Sequence, residues 1–271
     1  MTTPDDLPKP WSDEDRLAAL NLYFKIPANK VSKNNEVIRK VAAQMNRRPN
    51  TLALKIKDFA RLDPLGQPNT FSDPARRDRE LWDKFHTHPQ EYAVESELAL
   101  HNLFVTDSNV DVEIDAGEKL RLSSCDFSSS SANTESLSTV RTRLGQQFFR
   151  QTVLNAYEMK CCISGVNVPR LLIASHIKPW GQFPEHRLDP ANGLCLSSLH
   201  DAAFDSGLLT LDGEFRVVLS PRLAAFFPNP ALELNFLQHE GRRIFMPSRF
   251  APSSEFLAFH RHSIFQSRTK E

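Results

Sequence analysis

Three pieces of sequence decide the reading: Ala174-Ser175-His176-Ile177-Lys178-Pro179-Trp180, then Asp189-Pro190-Ala191-Asn192-Gly193-Leu194, then Leu199-His200-Asp201-Ala202-Ala203-Phe204-Asp205. Leu171-Leu172-Ile173-Ala174 is a short apolar run that predicts a strand ending at His176. Leu194-Cys195-Leu196 is a second apolar run, and Ser197 or Ser198 can cap a helix running through Phe204. A histidine therefore closes a strand, an asparagine follows 16 residues later in a loop, and a second histidine lies 8 further on in a helix. Each residue type suits a role. An imidazole at a strand end can act as general base on water, an asparagine can pin the loop that orients it, and a helical histidine can present a ring nitrogen to a divalent cation.

Working outward, Val140–Tyr157 predicts a long amphipathic helix with Phe148, Phe149, Val153 and Leu154 on its apolar face and Arg141, Arg143 and Arg150 on its basic side. Cys161-Cys162-Ile163-Ser164-Gly165 reads as a short strand entering a turn. Beyond the helix, Leu208–Leu211 and Phe215–Leu219 flank Asp212-Gly213, the signature of a hairpin.

Strand, loop, strand and helix carrying His, Asn and His outline a ββα-metal site. With the flanking Ser-His-Ile-Lys-Pro-Trp, Asn-Gly-Leu and His-Asp-x-x-Phe-Asp, and with Arg-Leu-Gly-Gln-Gln-Phe-Phe-Arg and Cys-x-Ile-Ser-Gly before them, the stretch from about Arg141 to Leu211 resembles an HNH endonuclease domain. Its motifs are similar to those of the bacterial restriction-type branch. The resemblance implies a metal-dependent DNA endonuclease with a restriction or defence role, acting on modified DNA in one version. It implies His176 as general base, Asn192 as loop-orienting residue and His200 as metal ligand, with Mg²⁺ as the expected ion and Mn²⁺ or another divalent ion as alternatives. Many such domains place an acidic residue or histidine before the base, and Ser175 stands there in this chain. Ser175, Asp205 and Asp201 are the remaining ligand candidates. There is no Cys-x-x-Cys, so no structural zinc is expected, and Cys161, Cys162 and Cys195 read as core residues. A catalytically idle HNH fold that only binds DNA, or serves as a sensor, is the rival reading, and Ser175 is the feature that favours it.

The N-terminal part has its own pattern. Ser12 precedes Asp13-Glu14-Asp15 as an N-cap with acids in the first helical turn, and Asn34-Asn35 precede a second periodic run. Arg47-Arg48-Pro49-Asn50 break the pattern before a third run that Thr51 can cap. Two short helices, a tight turn and a basic third helix outline a helix-turn-helix, and Trp11-Ser12-Asp13-Glu14-Asp15 is similar to the opening of Myb/SANT-type units.

Net charge is zero over 271 residues, yet residues 25–61 carry 10 basic and 2 acidic side chains. Such a local surplus of +8 points to a polyanion. Arg47, Arg48, Asn50, Thr51, Lys55 and Lys57 are the expected DNA contacts there, because Arg and Asn reach base edges and Lys holds phosphate. In the nuclease part, Arg143, Arg150 and Lys178 suit phosphate binding as well as they suit a solvated surface.

The expected fold is α+β. A small helical, helix-turn-helix-like domain spans residues 1–93, an acidic and Ser-rich linker 94–139, and the nuclease domain with a C-terminal extension 140–271. No apolar run is long enough to span a membrane, and the acidic start and the few irregular cysteines predict a cytoplasmic protein. DNA is the expected partner. Cutting both strands with one site per chain takes two successive nicks or a homodimer.

Overall fold

Helix-forming runs and paired short strands make the chain α+β. The computed structural model describes residues 10–64, 74–104, 110–115, 117–124 and 134–265. It falls into two compact units, Met1–Gly145 and Gln146–Glu271.

In the first unit Ser12 caps α1 (Asp13–Lys25), its side chain accepting from the Asp15 amide at 3.0 Å. Asn35 caps α2 (Glu36–Gln44) in the same way. α3 (Pro49–Leu62) begins three residues earlier than a Thr51 cap would have it, because Pro49 at its first position has the helical φ built in. α4 (Arg76–Thr87) and α5 (Pro89–Asn102) follow.

α1 is buried along almost its whole length, including Asp15, Arg16, Asn21 and Lys25. A helix surrounded by others can carry charges only if each finds a partner. Lys25 meets Glu97 of α5 at 2.6 Å, and Asn21 donates to the same carboxylate at 2.8 Å. Asp78 of α4, fully buried, accepts from Arg16 at 3.2 Å and Lys55 at 2.6 Å. Burial pulls the Lys25 ammonium below its usual pKa, opposed by Glu97.

The expected linker is partly folded. α5 runs on to Asn102, and β1 (Val110–Asp115) pairs antiparallel with β2 (Lys119–Ser124). Val112, Ile114 and Leu120 are buried, so a period-two alternation lay inside an acidic stretch that reads as a tether by composition. The hairpin turn docks through Gly117, whose carbonyl accepts from the Asn35 side chain at 2.8 Å and whose missing Cβ would fall 2.4 Å from Pro27. The serine run at 128–131 and Cys125 lie outside the described residues.

α6 (Thr134–Ala156) carries the division between the units. In the second unit its apolar face, Phe148, Phe149, Val153 and Leu154, is buried. Cys161–Gly165 forms a hydrogen-bonded turn rather than a strand, tied to the sheet by the Cys162 amide donating to the Cys195 carbonyl. β3 (Leu172–His176) and β4 (Gly193–Ser197) pair antiparallel with His176 opposite Gly193. Ser197 caps α7 (Ser198–Asp205), and β5 (Leu209–Leu211) pairs with β6 (Val217–Leu219). Short helices α8 (Pro221–Ala224) and α9 (Pro230–Asn235) lead to α10 (Ser254–Phe259), which continues as a π-helical turn, His260–Phe265. Buried His260 fastens that turn: its ring bonds Thr210 Oγ1 at 2.8 Å and the Phe204 carbonyl at 3.1 Å. Among the described residues no helix is long and apolar enough to cross a membrane.

Two outcomes follow for stability. Glu97→Ala leaves Lys25 buried without a counter-charge and is expected to cost about 3–5 kcal/mol, read as a drop in denaturant midpoint, whereas Lys25→Met with Glu97→Leu recovers most of it. Burial holds His260 down at about 4, so the folded chain stays unprotonated where the unfolded chain takes up a proton. Stability is therefore full above the unfolded pKa and is lost as pH falls from about 6.5 to 4, by about 3 kcal/mol in all, and His260→Gln should flatten that decline in pH-resolved unfolding.

Candidate active site

His176 ends β3 half-buried, at the mouth of a cleft of about 630 Å³. Its ring lies flat on Phe149, centroids 3.8 Å apart and 12° from parallel, with the edge of Trp180 at 5.3 Å. Nε2 is 2.9 Å from the carbonyl of Arg187, which can only accept. The proton is thereby assigned to Nε2, and the Nδ1 lone pair is left free to take another. Burial lowers the imidazole pKa, against the Arg187 carbonyl and the negative charge of Asp201, which raise it. A neutral imidazole with one committed nitrogen is a base ready for use.

The loop from β3 to β4 is closed by Asn192, which is buried. Its Oδ1 accepts from the Lys178 amide at 2.8 Å, while Nδ2 donates to the carbonyls of Lys178 (3.2 Å) and His186 (3.1 Å). The Asn192 main-chain carbonyl takes the Ile177 amide at 2.9 Å. One side chain therefore holds both ends of the segment that carries the Arg187 carbonyl.

The cleft also contains Ser175, Asp201 and Asp205. Ser175 Oγ is buried without a hydrogen-bond partner. His200 is elsewhere: it is buried, with Nδ1 2.9 Å from Ser197 Oγ and 3.5 Å from Cys161 Sγ, and with Nε2 2.7 Å from the Asn235 carbonyl. His200, expected as a ligand, has both ring nitrogens engaged within the fold, and the residues of α7 that line the cleft are Asp201 and Asp205. Burial opposes charge on both Cys161 and His200. Burial is the largest single influence, but it is outweighed by their mutual bond acting together with the Ser164 and Ile163 bonds to the thiol and the Asn235 carbonyl on the imidazole, which brings the thiol down to about 6 and raises the imidazole. Among the described residues no three or more His, Cys, Asp or Glu side chains are grouped to hold a metal ion.

Several expected DNA contacts are spent on the fold. Arg47 pairs with Asp15 at 2.7 Å and lies 4.0 Å over the Trp11 ring. Lys55 is buried against Asp78. Lys178 is buried too, paired with Glu255 at 3.1 Å and 4.4 Å over the Phe256 ring, so it ties the loop after β3 to α10. Thr51 is half-buried, whereas Arg48, Asn50, Lys57 and Arg143 are exposed and Arg150 is half-exposed beside the site. Four contributors escaped sequence reading. Phe149 reads only as core, Arg187 acts through its main chain, and Phe259 and Ile264 reach the cleft from far along the chain.

At about 1–3 kcal/mol for each buried polar group left unpaired, Asn192→Ala is expected to lower the thermal midpoint more than Ser198→Ala does. The Ser198 hydroxyl makes a single bond, to the Leu171 carbonyl, from an exposed position.

No curated protein matches this chain. Residues 161–212 match a family model described as HNH endonuclease, a span that holds β3, β4 and α7 with His176, Asn192 and Asp201, so this segment is similar to an HNH-type nuclease domain.

Proposed function

We propose that the protein is a metal-dependent endonuclease that hydrolyses DNA phosphodiester bonds, with a restriction or defence role. The observation that carries this reading is the His176 ring, held at Nε2 by the Arg187 carbonyl and unprotonated at Nδ1, in one cleft with the carboxylates of Asp201 and Asp205. The donors suit a hard cation: two carboxylates and the orphaned Ser175 hydroxyl are all oxygen. Mg²⁺ characteristically takes one or two carboxylates and completes its shell with water and substrate phosphates, so a full protein cage is not required. When bound, such an ion supplies positive charge to the phosphate and to the leaving 3′-oxygen.

The chain's own residues do the rest. His176 Nδ1 takes a proton from the attacking water, Phe149 and Trp180 fix the plane of the ring, and Asn192 keeps the Arg187 carbonyl where it stabilises the imidazolium that forms. Arg48, Asn50 and Lys57 on α3 remain candidate DNA contacts of the first unit, since all three are exposed. The rival reading, an HNH fold that binds DNA without cutting it, draws on Ser175 standing where an acidic ligand would strengthen the site.

The test is nicking of supercoiled plasmid in Mg²⁺ or Mn²⁺. His176→Ala is expected to lower the rate about 10²–10⁴-fold with DNA binding retained, and Asp201→Asn to raise the metal concentration needed, whereas His200→Ala should act through stability. Equal nicking by wild type and His176→Ala sinks the mechanism, and matched methylated and unmethylated plasmids read the modification dependence.

A further inference from the structure

A second, smaller cleft of about 300 Å³ adjoins the first, and the two share Ile173, Ala174, His176 and Trp180. It adds Gln146, Phe149 and Arg150 of α6. Together they form one groove over the end of β3. Its ends differ in charge: Asp201 and Asp205 stand at one, Arg150 at the other, and His176 lies between them.

Arg150 is the cation that lines this groove. Its Nη1 donates to the Leu172 carbonyl at 3.0 Å, which anchors the guanidinium against β3. Among the described residues it has no carboxylate partner, although it is half-buried. Buried Lys25, Lys55 and Lys178 are each paired with an acid, whereas half-buried Arg187 and Arg261 are, like Arg150, held by main-chain carbonyls; of these three arginines it is Arg150 that lines the groove. A half-buried guanidinium held by a neutral carbonyl keeps its full charge and several free N–H donors, which is the arrangement that suits an oxyanion. Exposed Gln146 lines the same cleft and adds amide donors.

We propose that Arg150 and Gln146 form a phosphate subsite, taking a DNA phosphodiester that flanks the scissile one while the carboxylate end takes the scissile phosphate with its metal. The substrate strand then lies along the groove in a fixed direction, cationic end to anionic end. The proposal rests on the nuclease reading above and assigns Arg150 to binding rather than to the chemical step.

DNA affinity of the full chain, measured in EDTA by fluorescence anisotropy of a labelled duplex across a salt series, tests it without any metal. Removing one phosphate contact lowers the slope of log affinity against log salt by about 0.9, so a rise from about 50 to 200 mM should cost Arg150→Met roughly 3-fold less affinity than it costs the wild type. Arg150→Lys is expected to keep the slope. Gln146→Glu, at an exposed position that leaves the Leu172 bond intact, should weaken binding at low salt. In cleavage, Arg150→Met should raise KM and leave kcat nearly unchanged, the pattern of an interaction made equally before and during reaction. If Arg150→Met and Gln146→Glu both bind with wild-type affinity and slope while the wild type cuts plasmid, the subsite is overturned and the nuclease reading stands. If Arg150→Met shows the expected slope change but the wild type never cuts, the subsite is supported and the cleavage reading fails.

Discussion

The contact between Gly193 and α6 is the constraint on which the site depends. A Cβ at Gly193 would fall 2.4 Å from Val153 Cγ2 and 3.1 Å from the ring of Phe149, so β4 lies against the helix with no room for a side chain. Gly193 is also the register partner of His176. The same approach that brings β4 onto α6 therefore brings the His176 ring onto Phe149, and the imidazole is seated by packing before any polar partner is considered. Asn192, the preceding residue, then ties the loop, and the Arg187 carbonyl selects the tautomer. Packing and loop closure both pass through two adjacent positions, Asn192 and Gly193, and proton placement through the Arg187 carbonyl in the loop they close.

The first unit shows how charge in a sequence can be misassigned. The surplus of basic residues between 25 and 61 suggests a surface, yet Lys25, Arg47 and Lys55 point inward to Glu97, Asp15 and Asp78. Their partners come from outside that window, from the very segments whose acids make the overall charge zero. Part of the local asymmetry is therefore a set of long-range ion pairs holding α1 among its neighbours. Such pairs stabilise little beyond a well-packed apolar alternative, but each partner is indispensable once the other is buried.

Much of the fold was legible because its signals are local. Ser12, Asn35 and Ser197 cap the helices they precede, and Asp212-Gly213 turns the hairpin between β5 and β6. The hairpin of β1 and β2 was not legible, since acidic composition masked the alternation of Val112 and Ile114. In the candidate site, the placement of His176 at a strand end and of Asn192 in the loop was readable from spacing, because it needs only the order strand, loop, strand. The carbonyl of Arg187 was not readable, as any residue has one, and neither was the wall supplied by Phe259 and Ile264, which depends on where α10 returns.

His200 and Asp201 illustrate what spacing alone leaves undecided. Consecutive residues on a helix point about 100° apart, so only one of them can face the cleft when the other faces the core. The choice is made by the helix's own cap: Ser197 Oγ accepts the His200 amide and also lies 2.9 Å from its ring, while Cys161 and the Asn235 carbonyl complete the enclosure. With His200 so fixed, the next position turns outward, and it is a carboxylate. An imidazole would offer a hard cation one nitrogen, whereas Asp201 offers oxygen and, through its charge, also favours the protonated form of His176. The enclosed histidine thus sets the rotation of α7, and the residue beside it lines the cleft.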